Sequence, residues 1–360
     1  MLAAYAARTD RNDPLAALEV GERPQPSPPP GWALLRVAAA SLNHHDLWTL
    51  RGISSRPVEP PQILGCDAAG VVAGYGPDRP VDAPAEGTRV VAHSGIGCGA
   101  CAACRDVEPL FCRDFGMFSE GPYQGTLAEY VPVPAGNLVP LPASVGFVEA
   151  ACLPTAYLTA YRMLFVRAGV RPGDTVLVHG AAGGVATASI LLARAAGVSV
   201  IATSRDEGKR AAAVELGAAA AVGTDRDAVK QVLGMTGGRG VDAVIDTVGE
   251  ATWEFSLRAV RIDGTVVVAG ATSGANPGAQ LNRVFWRHTR VLGSTMGTRG
   301  ELEKLVGLCG GGVLRPLVGV VVPLERVREG FERLAAGEGR GKVVVTMGQT
   351  YEQGPATAPG

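Results

Sequence analysis

The sequence lacks an excess of either charge: 33 Lys and Arg stand against 34 Asp and Glu, a formal net charge of −1. A nucleic-acid footprint built on net charge is thereby excluded. There is no basic start followed by a sustained apolar stretch, because the chain opens MLAAYAARTDRND. No secretory leader is expected, and the expected compartment is the cytoplasm. An uninterrupted membrane-length run is missing too. The longest apolar segment, residues 175–193, contains His179 and three glycines and reads as strand, turn and helix, so no membrane partner is expected. Nor is there a disulfide framework. Of seven cysteines, four fall within a short stretch from Cys98 to Cys112, and such clustering in a cytosolic chain points to metal.

What is present suits a two-domain globular protein. The 360 residues are 47% hydrophobic, enough for two cores, and the 49 glycines and 25 prolines fall mostly at turns between apolar runs. Residues 1–30 read as one strand and a loop ending in RPQPSPPPG, whose missing amide donors oppose sheet pairing. A strand over 32–40, then β-branched runs between 67 and 91 and from 126 to 134, predict an irregular antiparallel sheet or small barrel. Near Val148 the spacing of apolar residues turns helical. Thereafter strands over 175–179, 198–203, 220–222, 243–246 and 265–269 alternate with helices over 185–196, 207–216, 228–233 and 253–260. Strict alternation requires right-handed crossovers and a parallel sheet covered on both faces.

The stretch VLVHGAAGGVATASILLARAAG places a glycine-rich turn between strand and helix, the context in which such a turn binds a dinucleotide. Gly180 and Ala182 belong to this turn. Gly183 and Gly184 let the backbone approach a pyrophosphate, and the helix from Val185 offers free amides and a positive dipole end. Where an acidic residue would bind the ribose of NAD, the second strand ends in Ser204, followed by Arg205 and, one turn on, Lys209. That edge suits a 2′-phosphate, so NADP(H) is the expected cofactor. Val248, Gly270 and Ala271 follow later strands and are expected to line the adenosine and nicotinamide halves, since ligands sit at the carboxyl ends of parallel strands.

Cys98, Cys101, Cys104 and Cys112 form C-x2-C-x2-C-x7-C in a glycine-rich loop. Four thiolates there can close around one structural Zn2+ and pin a loop with no core of its own; an iron–sulfur cluster is the rival reading.

Together with SLNHHDLWTLRG, ILGCDAAGVV, GTLAEYVPVP, LPTAYLTAYRML, DTVGEATWEFSLRAV and the closing GKVVV, these features make the chain similar to the zinc-containing medium-chain dehydrogenase/reductase superfamily, from about Ala33 to Thr346. The resemblance implies an α/β fold: a Rossmann doubly wound parallel sheet plus a GroES-like β-barrel catalytic domain with a structural-zinc lobe. The expected division is 1–160 for the catalytic domain with its lobe at 93–115, 161–300 for the cofactor domain, 301–347 for a return segment and 348–360 for a flexible tail. Hydride transfer with a nicotinamide cofactor, and a homodimer or homotetramer, are likewise implied.

The usual catalytic-zinc ligands are altered. Asn43 holds the first place, Cys66 and Asp67 replace a His-Glu pair, and Ala151 or its neighbour Cys152 falls near the last. This resembles the quinone oxidoreductase branch and implies reduction of a quinone or an activated carbonyl compound without catalytic zinc. Under that reading His45 is the first candidate proton donor and Tyr123 the second. Asn43 and Asp46 orient the nicotinamide or the motif backbone, and Thr155 matches a residue that contacts the carboxamide. A zinc alcohol dehydrogenase with unusual ligands (His45, Cys66, Asp67, Cys152) and a non-catalytic NADPH-binding protein are the alternatives.

Overall fold

Strand Trp32–Ser41 alternates buried and less buried positions along WALLRVAAAS, as a strand with one face on a core must. It is the axis of a seven-stranded sheet, in the computed structural model, which describes residues 1–54 and 56–348. Asp67–Tyr75 pairs with it antiparallel along one edge, with register shifts between Leu34 and Leu35 and between Val37 and Ala39. Such bulges bend a strand and let a small sheet curl. Tyr130–Pro134 also pairs with it, and Arg89–Ala92 and Leu138–Pro140 extend the sheet beyond Asp67–Tyr75. The last described strand, Lys342–Thr346, returns to the same axis and places Val344 opposite Ser41. Residues 1–30 differ from expectation by holding two strands, Leu2–Ala6 and Leu18–Glu22, paired antiparallel ahead of the proline run. These segments form one unit, residues 1–155 with the chain from Thr298 onward.

Residues 156–297 form the second unit. Its strands are β1 (Thr175–His179), β2 (Ser199–Thr203), β3 (Ala220–Val222), β4 (Val241–Asp246), β5 (Val260–Val268) and β6 (Arg290–Gly293). All neighbours pair in parallel, in the order β3-β2-β1-β4-β5-β6. This is the doubly wound arrangement, which reverses direction between β1 and β4 and so creates a crevice at their carboxyl ends. Helices α1 (Gly184–Ala195), α2 (Glu207–Leu216), α3 (Arg226–Met235) and α4 (Glu250–Ala259) supply the first four crossovers, and the short helix Leu281–Trp286 lies in the fifth. Leu177, Ile201, Val244, Val266 and Leu257 lie in one fully covered cluster. Each such side chain contributes about 1.5–3 kcal/mol on burial.

The helical stretch near Val148 is interrupted by π turns at Leu153–Tyr157 and Arg162–Arg167. Among the described residues no helix is long and apolar enough to cross a membrane. The tail expected at 348–360 lies, apart from Gly348, outside the described residues.

Candidate active site

In the first unit, the chain leaves strand Trp32–Ser41 and enters the short helix His44–Leu50, presenting Asn43, His45 and Asp46 within four positions. Asp46 is fully buried, and its two oxygens accept the amides of Asn43 (2.8 Å) and Gly65 (2.9 Å). Burial raises its pKa. Its carboxyl is therefore committed to holding the motif backbone.

Asn43 donates its side-chain amide to Asp67 Oδ2 (2.8 Å) and to Cys66 Sγ (3.4 Å), while its Oδ1 accepts from Lys342 Nζ at 2.5 Å. Asp67 also accepts from Ser41 Oγ (2.6 Å) and from Thr155 Oγ1 (2.5 Å). Thr155, in the first π turn, thus spends its proton on Asp67 and lies 3.4 Å from Cys66 Sγ. Lys342 reaches this knot because its strand pairs beside Ser41; its ammonium also donates to Leu42 O at 2.7 Å. Burial pushes the Cys66 thiol well above its ordinary value and the Cys152 thiol up to about 12. Cys152 donates to Val148 O.

His45 Nε2 stands 3.0 Å from Glu120 Oε1. Burial pulls the imidazole pKa down, but the hydrogen bond to Glu120 and the charges of Asp46, Glu120 and Asp67 outweigh it and hold the value above normal. Tyr123 is placed differently. Its ring stacks on Trp32 with centroids 6.0 Å apart and lines an apolar cavity of about 410 Å³ that includes none of the residues just named.

His45, Asp46 and Cys66 bring three potential ligand atoms within 4.8 Å of one another. The donor chemistry does not suit a divalent cation. Both Asp46 oxygens are satisfied by amides, Cys66 is a neutral thiol, and the Asn43 side chain turns N–H groups toward Cys66 and Asp67.

The cysteine lobe is the opposite case. The sulfurs of Cys98, Cys101, Cys104 and Cys112 all lie within 4.8 Å of one another, with Cys98 to Cys104 at 3.9 Å and Cys101 to Cys112 at 3.7 Å. Four thiolates about 2.3 Å from a tetrahedral ion stand about 3.8 Å apart, so the cluster fits such an ion. Amides of Cys98 and Cys101 point at Cys112 Sγ and Cys98 Sγ, as thiolate acceptors invite.

In the second unit, the glycine-rich turn joins β1 to α1. Gly180 takes a φ of +78°, and both Gly180 N and Ala181 N donate to Thr203 O at the end of β2. Ala182 lies between them and Gly183, which caps α1, so the amides of Gly184 and Val185 open the helix. After β4, Asp246 Oδ1 accepts the amides of Val248 and Gly249, both at 2.9 Å. Gly249 has a φ of +87°, and a Cβ there would lie 2.7 Å from Gly274 O, so no other residue fits. Gly249 packs against Ala271, Gly270 packs against Thr247 O, and Val248 stands beside Gly180. The ends of β1, β4 and β5 thereby converge on one backbone-lined edge.

That edge rests on a buried network. His179 Nδ1 pairs with Thr203 Oγ1 (2.8 Å) and Nε2 with Ser256 Oγ (3.0 Å), while Ser256 donates to Asp246 Oδ2 at 2.8 Å. With the serine proton on Asp246, Nε2 is the donor toward Ser256. Burial lowers the His179 pKa.

At the end of β2, Arg205 and Arg210 line a cleft of about 470 Å³ with Thr224, Asp225 and Gln231. Arg210 donates to the carbonyls of Ser204 (3.0 Å) and Arg205 (3.2 Å). Ser204 Oγ accepts from Asp206 N, and the Asp206 carboxylate caps α2 by accepting Lys209 N at 2.7 Å. Asp206 is thus occupied by the helix end. Lys209 does not line this cleft; Arg210, which sequence reasoning passed over, does.

Two family models match the chain: "Alcohol dehydrogenase GroES-like domain" over residues 29–143 and "Zinc-binding dehydrogenase" over 184–310. The chain is 31% identical to a zinc-type alcohol dehydrogenase-like protein of Schizosaccharomyces pombe, covering 88% of this chain and 91% of that one. It is 29% identical to an acryloyl-coenzyme A reductase of Metallosphaera sedula, covering 91% and 96%. Among solved structures, an NAD-dependent alcohol dehydrogenase superposes with a TM-score of 0.89 at 38% identity, covering 97% of this chain and all of that one.

Proposed function

Because the chain belongs to the zinc-type medium-chain dehydrogenase/reductase superfamily and is an oxidoreductase, we propose that it uses NADPH to reduce quinones or α,β-unsaturated carbonyl compounds without a catalytic zinc. The observation that carries this reading is the Asn43–Asp67–Lys342 knot. Where a metal would need lone pairs, an amide N–H faces Asp67 and Cys66, and a buried ammonium already neutralises the carboxylate. With no Lewis acid, the acceptor must itself be electrophilic, as quinones and enones are. The acryloyl-coenzyme A reductase among the relatives agrees with that acceptor class. Arg205 and Arg210 beside Ser204 favour a 2′-phosphate.

When bound, the reduced nicotinamide supplies the hydride. The converging edges of β1, β4 and β5 hold the dinucleotide through backbone amides, with Gly180, Ala182, Gly183, Gly184, Val185, Val248, Gly270 and Ala271 on its path. His45 holds the proton for the acceptor oxygen. Asp46 and Asn43 fix the start of the helix that carries His45, and Thr155, with its proton given to Asp67, keeps an oxygen lone pair for the carboxamide. Tyr123 has no part in this reading, because its ring belongs to the Trp32 cavity. The four-cysteine lobe would hold one structural zinc, and the assembly would be a cytoplasmic homodimer or homotetramer.

The test combines NADPH and NADH oxidation over a panel of quinones, enones, enoyl thioesters and plain ketones with metal analysis. The expected result is turnover of the activated acceptors with NADPH and one zinc per chain. Two zincs per chain, with activity lost on mild chelation while the fold survives, would establish an alcohol dehydrogenase with unusual ligands instead. Tight NADPH binding with silence across the panel would establish a non-catalytic binding protein.

A further inference from the structure

Resting on the reductase reading, we infer that Glu120 is a positioning residue: it anchors the Nε2 edge of His45, leaving Nδ1 to carry the proton delivered to the acceptor oxygen. Glu120 lies in the loop after strand Gly116–Met117, far from His45 in sequence, yet its carboxylate stands 3.0 Å from the ring. The two side chains are only 14% and 10% exposed. Ser54 Oγ, 3.5 Å from the same carboxylate oxygen, braces it from a third segment.

The opposite ring nitrogen supplies the independent observation. His45 Nδ1 is buried and has no hydrogen-bond partner among the described residues. Buried polar atoms are nearly always paired, so this one calls for a partner from outside the chain. A carbonyl or quinone oxygen would satisfy it.

The groups facing the ring come from three elements. Asp46 lies on its own helix, Cys66 and Asp67 arrive with strand Asp67–Tyr75, and Glu120 comes from the loop. Cys66 remains a neutral thiol, Asp46 is tied to two amides, and Asp67 is tied to Asn43, Thr155 and Lys342. Glu120 alone among these carboxylates is hydrogen-bonded to the ring, so it sets the ring's orientation and favours its charged form.

The step balances as follows. Hydride adds to the β-carbon of the enone, and the displaced π electrons collect on the carbonyl oxygen. The Nδ1–H bond breaks as the O–H bond forms, giving the enol and a neutral imidazole beside an unchanged Glu120 carboxylate. Solvent returns the proton to His45, and the enol tautomerises to the saturated ketone.

The experiment uses the full chain with Glu120→Gln and Glu120→Asp, read by 15N NMR of histidine side chains and by the pH profile of kcat/KM for NADPH-dependent enone reduction. His45→Gln assigns the His45 resonance among the five histidines. Wild-type kcat/KM should fall as pH rises through the His45 pKa. In Glu120→Gln both that limb and the NMR pKa should move down by about one unit, with roughly tenfold lower kcat/KM above neutrality and near recovery at low pH. Glu120→Asp should restore part of the shift. An NMR pKa and alkaline limb unchanged in Glu120→Gln would overturn the inference. Should no acceptor be reduced, the reductase reading fails, and the NMR shift by itself still decides whether Glu120 governs His45.

Discussion

The ammonium of Lys342 stands 3.5 Å from an Asp67 carboxylate oxygen, with the two side chains 3% and 0% exposed. This pair closes the knot that also holds Asn43. Taking two charges out of water is tolerable only when they are paired and their other bonds are satisfied, and here Leu42 O, Ser41 and Thr155 complete the set.

Removing one partner should therefore be severe. Lys342→Met should destabilise the first unit by about 3–5 kcal/mol, and the double variant Lys342→Met/Asp67→Asn should regain much of that loss. Urea unfolding followed by tryptophan fluorescence measures both. Equal stability of the single variant and the wild type would show that the pair is dispensable.

Cofactor choice should lie in the cleft beside β2. Replacing Arg205 and Arg210 together by Ala should raise the KM for NADPH by about 10–100-fold while changing that for NADH little, as expected when charge-assisted hydrogen bonds to a phosphate are lost. Steady-state kinetics with both nucleotides decides it. Parallel loss with NADPH and NADH would assign the arginines a structural role.

The four-cysteine lobe should bind one zinc per chain. Cys104→Ser should lower zinc content by mass spectrometry and depress the thermal midpoint, because metal-binding energy there is folding energy. Full zinc occupancy in the variant would remove Cys104 from the ligand set.

His179 should make stability pH-dependent in a known direction. Burial lowers its folded-state pKa from 6.5, so the unfolded chain takes up a proton first as the pH drops. Its contribution is present in full above pH 6.5 and is lost as pH falls from there through the lower folded value. Urea midpoints of wild type and His179→Gln should therefore diverge above pH 6.5 and converge in acid. A constant gap across that range would show that the imidazole is not buried as a neutral group.

Five of the six strands of the doubly wound sheet are legible because each is a short apolar run bounded by turn residues, and those read at 175–179 and 220–222 coincide with Thr175–His179 and Ala220–Val222; the sixth, Arg290–Gly293, is not marked in this way. Periodicity and punctuation are local properties. The partners that complete the candidate site are not local. Glu120 is a single acid in a loop with no pattern to mark it, and Lys342 sits in GKVVV, which reads only as a closing strand. Arg210 was passed over for Lys209 because helix phase alone does not say which of two adjacent cations turns toward the strand end. The Asp206 carboxylate, next in sequence to Arg205, is taken up in capping α2 and does not compete for a ribose. The second strand within residues 1–30 carries no hairpin signature, because residues 7–17, with a 3-10 helix at Pro14–Ala17, separate it from its partner, Leu2–Ala6.

The return of Lys342–Thr346 to the central strand imposes an order on biosynthesis. Residues 156–297 can complete their six-stranded sheet while still tethered to the ribosome. The segment before them has to remain unfinished until position 346 has emerged, holding the Asp67 carboxylate without its counter-ion. Arrested nascent chains ending near residue 340, long enough to release strand Arg290–Gly293 from the ribosome, should accordingly yield a protease-resistant middle fragment and a digestible front portion.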